Sequence, residues 1–152
     1  MSGFIGEFFG TLVLIVLGTG CGAAINLQKS YAKGASWLYV TIAWGMAVTF
    51  GVYVAASLGS QGHLNPAVTI GFASFGFFPW SEVGPYLLGQ FLGAFVGAAL
   101  VAIQFYPHFK ATKTSEAGNN VGIFATAPAI KNNLFNFLSE TIATFIFVFC
   151  VT

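Results

Sequence analysis

Apolar residues fall along this chain in four long blocks, at 4–25, 37–58, 84–106 and 134–152. A helix needs about 20 predominantly apolar residues to cross the hydrocarbon of a bilayer. Each block meets or nearly meets that length, so the pattern predicts four membrane-spanning helices. The last block stops just as it reaches a spanning length. Between the second and third lies a different stretch, 59–83, whose apolar part is about half a spanning length. At its centre stands Gly62-His63-Leu64-Asn65-Pro66-Ala67-Val68-Thr69-Ile70. Asn-Pro favours the start of a turn. Asn is a strong helix N-cap, and Pro fits the first helical position, where no amide hydrogen is required. The stretch therefore predicts a short helix over about 66–76. Inside a bilayer a helix of that length dips in and returns, with its broken backbone turned toward protein or water. Its positive end then points at a polar cavity near the midplane.

The interruptions and the small residues refine this picture. The connection at 29–36 is short and polar. The segment 107–133 is long and carries Lys110, Lys113, Glu116, Gly118, Asn119 and Asn120, so it reads as a surface loop. Its middle, 121–129, is more apolar, and two readings stand: a flap over the mouth of the bundle, or a disordered loop. Gly89, Gly93 and Gly97 recur at every fourth position of the third block; Gly6 and Gly10, and Gly18 and Gly22, do so in the first. Such strips let helix backbones approach closely in lipid, where apolar surface alone drives no association. They predict a tight bundle and mark no site.

A repeat starts near the end. Phe4-Ile5-Gly6-Glu7-Phe8-Phe9-Gly10-Thr11 aligns with Phe137-Leu138-Ser139-Glu140-Thr141-Ile142-Ala143-Thr144. Both have Phe, an aliphatic residue, a small residue, Glu and a closing Thr in the same register. The period is three spans, an odd number, which inverts the second copy, as in many transport proteins. The chain is thus predicted to hold a first repeat over 1–133 and the truncated start of a second over 134–152. A second short helix is then missing.

Composition sets the solvent. The 152 residues are 57% hydrophobic and 6% charged, with a mean hydropathy of +0.83. A soluble domain carries about 25% charged residues, so lipid must bathe this one. A net charge of +1 gives no footprint for nucleic acid. Cys21 and Cys150 lie inside apolar blocks and read as inert packing residues rather than a disulfide pair. The first block has no Lys or Arg before it and exceeds the core of a signal peptide, so it reads as a retained span. Gly18-Thr19-Gly20-Cys21 has Gly where a lipoprotein cleavage site wants a Leu-like residue.

Few residues offer chemistry. Glu7 and Glu140 are carboxyls inside spans, which is costly and usually marks function or a specific partner. No Lys or Arg lies in any span to pair with them. They must accept hydrogen bonds from backbone, hydroxyls or water, or else be protonated. A supporting role for the broken backbone at 59–64 is preferred over proton transport, and the charge state stays open. Asn65 offers a side-chain amide to a lumen beyond its role as a cap. His63 by itself reads as a structural histidine. No second His, Cys or carboxylate stands at metal-ligand spacing, so no metal or other cofactor is expected. Ser57, Ser60 and Ser74 show no positioned base, so no catalytic site is expected either. Trp37 and Tyr39 fit an interfacial belt. Trp44 lies deeper, either packed in the core or lipid, or walling a pore.

The motifs Ser60-Gln61-Gly62-His63-Leu64-Asn65-Pro66-Ala67-Val68-Thr69, Gly6-Glu7-Phe8-Phe9-Gly10-Thr11 and Gly89-Gln90-Phe91-Leu92-Gly93-Ala94 resemble those of the major intrinsic protein family, the aquaporins. The likeness runs through nearly the whole chain. It is strongest to the bacterial glycerol facilitators, or aquaglyceroporins: Ile42-Ala43-Trp44-Gly45 resembles their second span, whose Trp lines the narrow selectivity region. The resemblance implies an all-α membrane fold of six spans and two half-helices. This chain would supply four spans and one re-entrant half-helix. It implies homotetramers in the cell membrane, each subunit passing glycerol, water and similar small neutral solutes while excluding ions and protons. It further implies that Asn65 donates to the permeant, that the carbonyls of Gln61, Gly62 and His63 form an acceptor ladder, and that Glu7 and Glu140 hold the half-helix loops, with Pro66 and Ala67 starting the first half-helix.

Two features depart from the family. There is no second Asn-Pro-Ala and no filter Arg, so one copy cannot close a pore; function is expected of a fuller chain or an assembly of halves. A water-selective channel and a non-conducting assembly subunit are the alternatives. Secondly, Lys29, Lys33, Lys110, Lys113 and Lys131 all fall in the two connections on one face. The positive-inside rule would place that face in the cytoplasm, whereas the family's topology places it outside; we follow the family. A tag inserted in the 107–133 loop should accordingly be reached by a membrane-impermeant label from outside the cell. Labelling only after permeabilisation would reverse the orientation.

Overall fold

The structure, a computed structural model, describes residues 2–112 and 120–151. Lys113, Glu116, Gly118 and Asn119 of the expected surface loop lie outside the described residues. The helices are α1 (Ser2–Asn26), α2 (Trp37–Ser57), α3 (Pro66–Ser74), α4 (Trp80–Gln104), α5 (Tyr106–Ala111) and α6 (Asn133–Val151), with a short 3-10 turn at Asn120–Ile123. No β-strand paired into a sheet occurs among the described residues. Four helices are long and apolar enough to cross a membrane: α1, α2, α4 and α6. The fold is an all-α membrane bundle, and α3 is too short to span it.

Two boundaries depart from the apolar pattern. The third span begins at Trp80, with Pro85 inside the helix. Proline there removes one backbone hydrogen bond to the preceding turn. That turn is held instead by packing, because Val83 and Tyr86 are buried against Ala73 and Phe78. The long 107–133 connection is also partly structured. Its first residues continue in α5. Ile123, past the described gap, is buried in a cluster with Ala23, Leu27 and Val101. Ile123 thereby pins the loop to the bundle end, while 124–130 stay exposed.

α1 is the hub. A Cβ added to Gly89 would lie 2.6 Å from the carbonyl oxygen of Phe4, one on Gly93 would strike that of Phe8, and one on Gly97 would lie 3.0 Å from that of Leu12. Both series advance by four, so α1 and α4 run parallel with backbones in contact. α2 runs antiparallel to α1: Gly6 faces Ala55, Gly10 faces Gly51, and Gly18 faces the Trp44 ring. Only glycine permits this approach, which in lipid supplies the dispersion contacts that hold helices together. α6 is peripheral. It has no buried residue and meets α3 where Val148 lies against Gly71.

The glycine contacts yield a direct test. Gly89→Ala in the full-length chain should lower stability by about 1–3 kcal/mol, the cost of overpacking a tight site. Gly84 on the same helix has nothing within 4 Å of an added Cβ. Gly84→Ala should be neutral or slightly stabilising, since Ala favours helix over Gly by about 1 kcal/mol. Thermal unfolding in detergent reads both; equal behaviour would disprove the close approach.

Candidate functional site

Residues 60–64 form the irregular strand that leads into α3, and every amide in it from Gln61 onward donates to a side chain. Gln61 N–H donates to the Tyr86 hydroxyl at 3.1 Å and Gly62 N–H to Ser60 Oγ at 3.0 Å. His63 N–H reaches Glu7 Oε1 at 2.9 Å and Leu64 N–H reaches Glu7 Oε2 at 2.7 Å. In a planar trans peptide the N–H and the preceding C=O point opposite ways. The bonds made by Gly62, His63 and Leu64 therefore turn the carbonyls of Gln61, Gly62 and His63 away from Glu7. No described residue donates to those three oxygens. Gly62 has φ +71° and Leu64 φ +53°, left-handed values that let consecutive N–H groups converge on one carboxyl. A side chain at position 62 would be strained there and crowd Val52.

Glu7 is fully buried. Besides the two amides it accepts from Ser60 Oγ at 2.5 Å and from Gln90 Nε2 at 2.7 Å. Four bonds fill the acceptor sites of a carboxylate, which in its ionised form only accepts. All four partners are placed as donors, so the carboxyl is the acceptor at the centre of the network. Hydrogen bonds to a charged group contribute about 1.5–3 kcal/mol each, and for an ionised carboxyl these four would stand in for a counter-ion.

The second amide hydrogen of Gln90 goes to Thr69 Oγ1 at 2.9 Å. Thr69 Oγ1 also lies 3.1 Å from His63 Nδ1. The first turn of α3 is thereby tied through Gln90 to Glu7 on α1. The His63 ring sits among Phe72, Phe78 and Tyr86, with centroid distances of 4.9, 4.8 and 5.0 Å. Its Nε2 pairs with Gln61 Oε1 at 3.2 Å. The ring anchors the strand, as a structural histidine does.

Asn65 caps α3: its Oδ1 accepts from Ala67 N–H at 2.8 Å, and Pro66 occupies the first helical position. The helix ends at Ser74, within two residues of the expected limit. With Oδ1 held, the two Nδ2 hydrogens of Asn65 have no acceptor among the described residues. Asn65, Gln61, Gly62 and His63 line a cavity of about 430 Å³, whose far wall includes Trp44, Val48 and Phe147. Trp44 packs on Gly18 and is half-buried. A second cavity of about 420 Å³ lies between α1 and α2 on the side of Cys21, Tyr39 and Met46; none of the strand residues reaches it.

Three of these groups carry no mark in the sequence pattern. Ser60 has no partner nearby along the chain, yet it bridges Glu7 and Gly62. Tyr86 and Thr69 look like ordinary residues of their helices. A polar residue inside a span was the available signal: Gln90 lies on the buried glycine face, and Tyr86 is one helical turn before it. Glu140, by contrast, is exposed on α6, near Thr126, Pro128 and Asn136, and makes no hydrogen bond among the described residues.

Four spans, two of them packed on the hub α1 and the last lying against α3, with a carboxylate-held strand and a half-length helix between the second and third, define an integral multi-pass membrane protein of the re-entrant-helix class. The model of the major intrinsic protein family matches residues 1–152, and the chain belongs to that family. It is 66% identical over 149 residues to "Glycerol uptake facilitator protein 2" of Lactiplantibacillus plantarum, covering 98% of this chain and 63% of that protein. It is 46% identical to "Glycerol uptake facilitator protein" of Streptococcus pneumoniae, covering 99% of this chain and again 63% of the relative. The chain thus spans just under two thirds of the length of these relatives. Among solved structures, the aquaglyceroporin of Plasmodium falciparum superposes with a TM-score of 0.67 at 36% identity, over 78% of this chain and 46% of that one.

The hydrogen-bond hierarchy predicts an order of effects. Glu7→Gln places an amide N–H₂ against groups that themselves donate, and removes the charge from four bonds. It should cost at least about 3 kcal/mol, whereas Tyr86→Phe, which frees one neutral bond, should cost about 0.5–1.5 kcal/mol. Thermal unfolding of the full-length protein in detergent compares them. An equal loss from both would remove Glu7 from the centre of the network.

Proposed function

We propose that this chain lines a passive conduit for glycerol, water and similar small uncharged solutes, as half of a longer channel or of an assembly of halves. The observation that carries the reading is the split of polar groups on the cavity wall. Gln61, Gly62 and His63 line it and their carbonyls accept no bond from a described residue, and Asn65 lines it with Nδ2 hydrogens that have no described acceptor; we read the first as acceptors and the second as donors for a permeant. A polyol hydroxyl needs both. Trp44 offers an apolar face on which the carbons slide, and the names of the relatives above agree with that chemistry. Water uses the same bonds. An ion loses hydration that these groups do not replace, and a cation also meets the positive end of α3. Transport is read as passive. Glu7 and Glu140 are read as supports of the half-helix loops, the protein as non-enzymatic, and its working form as a homotetramer in the cell membrane.

Trp44 favours glycerol over the water-selective alternative, because a large flat apolar wall suits carbon. In proteoliposomes carrying the full-length protein, Asn65→Leu should reduce glycerol permeability by about two- to tenfold, the worth of one lost hydrogen bond. Trp44→Ala should reduce the glycerol-to-water permeability ratio. Rapid swelling in water with no glycerol flux in the unmodified protein would favour a water channel. Flux untouched by both substitutions would favour a non-conducting assembly subunit.

A further inference from the structure

We propose that the lysine-bearing end of the bundle is a docking surface for the headgroups of anionic phospholipids in the adjoining leaflet. α1 and α4 run parallel and end together, α2 begins beside them, and three segments close that end. The segments are fastened to one another. Gly34 N–H donates to Ile25 O at 3.0 Å, Gln28 N–H donates to Thr112 Oγ1 at 2.9 Å, and His108 Nδ1–H donates to Gln28 O at 2.9 Å. Ile123 joins them through its cluster with Ala23 and Leu27. The surface is therefore built before any ligand arrives.

On it stand Lys29, Lys33, Lys110 and Lys131, all exposed. None is paired with a carboxylate among the described residues. The described carboxylates lie elsewhere: Glu7 is buried in its network, Glu82 opens α4 at the opposite end, and Glu140 is seven residues into α6, about 10 Å along its axis. The opposite end presents Glu82 and no lysine among the described residues, so the positive field is one-sided. Depth is set by aromatic rings. Tyr31, Trp37 and Tyr106 are 111%, 80% and 57% exposed, and such rings settle at the level of lipid headgroups. Lys110 Nζ lies 5.1 Å from the centroid of the Tyr106 ring, which steers the ammonium along the belt. Ammonium groups held at headgroup depth recognise phosphate esters with net negative charge. Each lysine near an anionic membrane surface favours association by about fivefold, and a zwitterionic surface gives no such gain. This reading is independent of what crosses the membrane.

The test uses the full-length protein in nanodiscs of mixed phosphatidylglycerol and phosphatidylcholine. Lipid retained after mild detergent extraction is quantified by mass spectrometry. The unmodified protein should retain phosphatidylglycerol about fivefold or more above its share of the mixture, and high salt should reduce that excess. Replacing the four lysines together (Lys29→Gln, Lys33→Gln, Lys110→Gln and Lys131→Gln) should abolish it, while Glu82→Gln should leave it intact. Exposed substitutions of this kind leave the fold in place, which the unchanged thermal midpoint in phosphatidylcholine would verify. No excess in the unmodified protein, or an equal excess in the fourfold variant, overturns the proposal. So does binding of soluble polyphosphate to the lysine end with no lipid preference, which would assign the surface to another polyanion. Glycerol flux in phosphatidylcholine vesicles should be the same for both proteins, so a failure here is distinct from a failure of the conduit.

Discussion

One buried carboxyl organises this protein. Glu7 is buried in the hub helix of a bundle that lipid surrounds, with no cation in reach among the described residues, and an isolated carboxylate there would be strongly disfavoured. The solution is four donors drawn from two elements: two amides and a hydroxyl from the 60–64 strand and an amide side chain from α4. The constraint runs both ways. The strand is irregular backbone at membrane depth, and its N–H groups would be orphaned without an acceptor. Carboxyl and broken backbone thus satisfy each other, and neither is tolerable alone.

Bringing those donors within reach of one carboxyl requires the helices to touch at their backbones. Glu7 projects from α1 between Gly6 and Gly10, which admit α2, and opposite Gly89 and Gly93, which admit α4. A layer of ordinary side chains at either contact would push Gln90 or the strand beyond hydrogen-bonding distance. The glycine strips read in the sequence as packing alone are therefore also what lets the polar network close. This links a van der Waals requirement on the outside of the hub to the electrostatic requirement at its centre.

The spans and the half-helix were legible because the bilayer imposes a length on every helix that crosses it, and Asn65-Pro66 announces a helix start in any setting. Glu7 was legible because a carboxyl in an apolar run has few innocent explanations. What stayed hidden was pairing across distant parts of the chain. Ser60 looked partnerless because its acceptor lies on another helix, and Tyr86 looked like one more aromatic residue of a span until its hydroxyl met the Gln61 amide. The apolar block opens at 84 because Ser81 and Glu82 interrupt it, whereas α4 begins at Trp80, with Val83 buried in one cluster with Ala73 and Phe78. Ile123 was ambiguous for a similar reason: a short apolar segment has no periodicity to read, and only its cluster with Ala23, Leu27 and Val101 shows where it goes. Glu140 matches Glu7 in register and lies exposed on α6; this sequence holds no second short-helix stretch for it to face.

The network also decides what the cavity can offer. Because the strand's N–H groups are consumed on the Glu7 side, the opposite side holds carbonyls alone, and a wall of acceptors by itself would attract cations. Two features oppose that. α3 begins at this wall, with its positive end toward the cavity, and the Asn65 cap spends its oxygen on Ala67 N–H so that only amide hydrogens remain free. A capping interaction found in many helices thus has a directional consequence here: had the side chain capped through water, its oxygen and nitrogen would be interchangeable, and the wall would lose its fixed donor. In the proposed conduit, discrimination between a hydroxyl and an ion then rests on the orientation of one carboxamide, held in place by the first turn of the helix it begins.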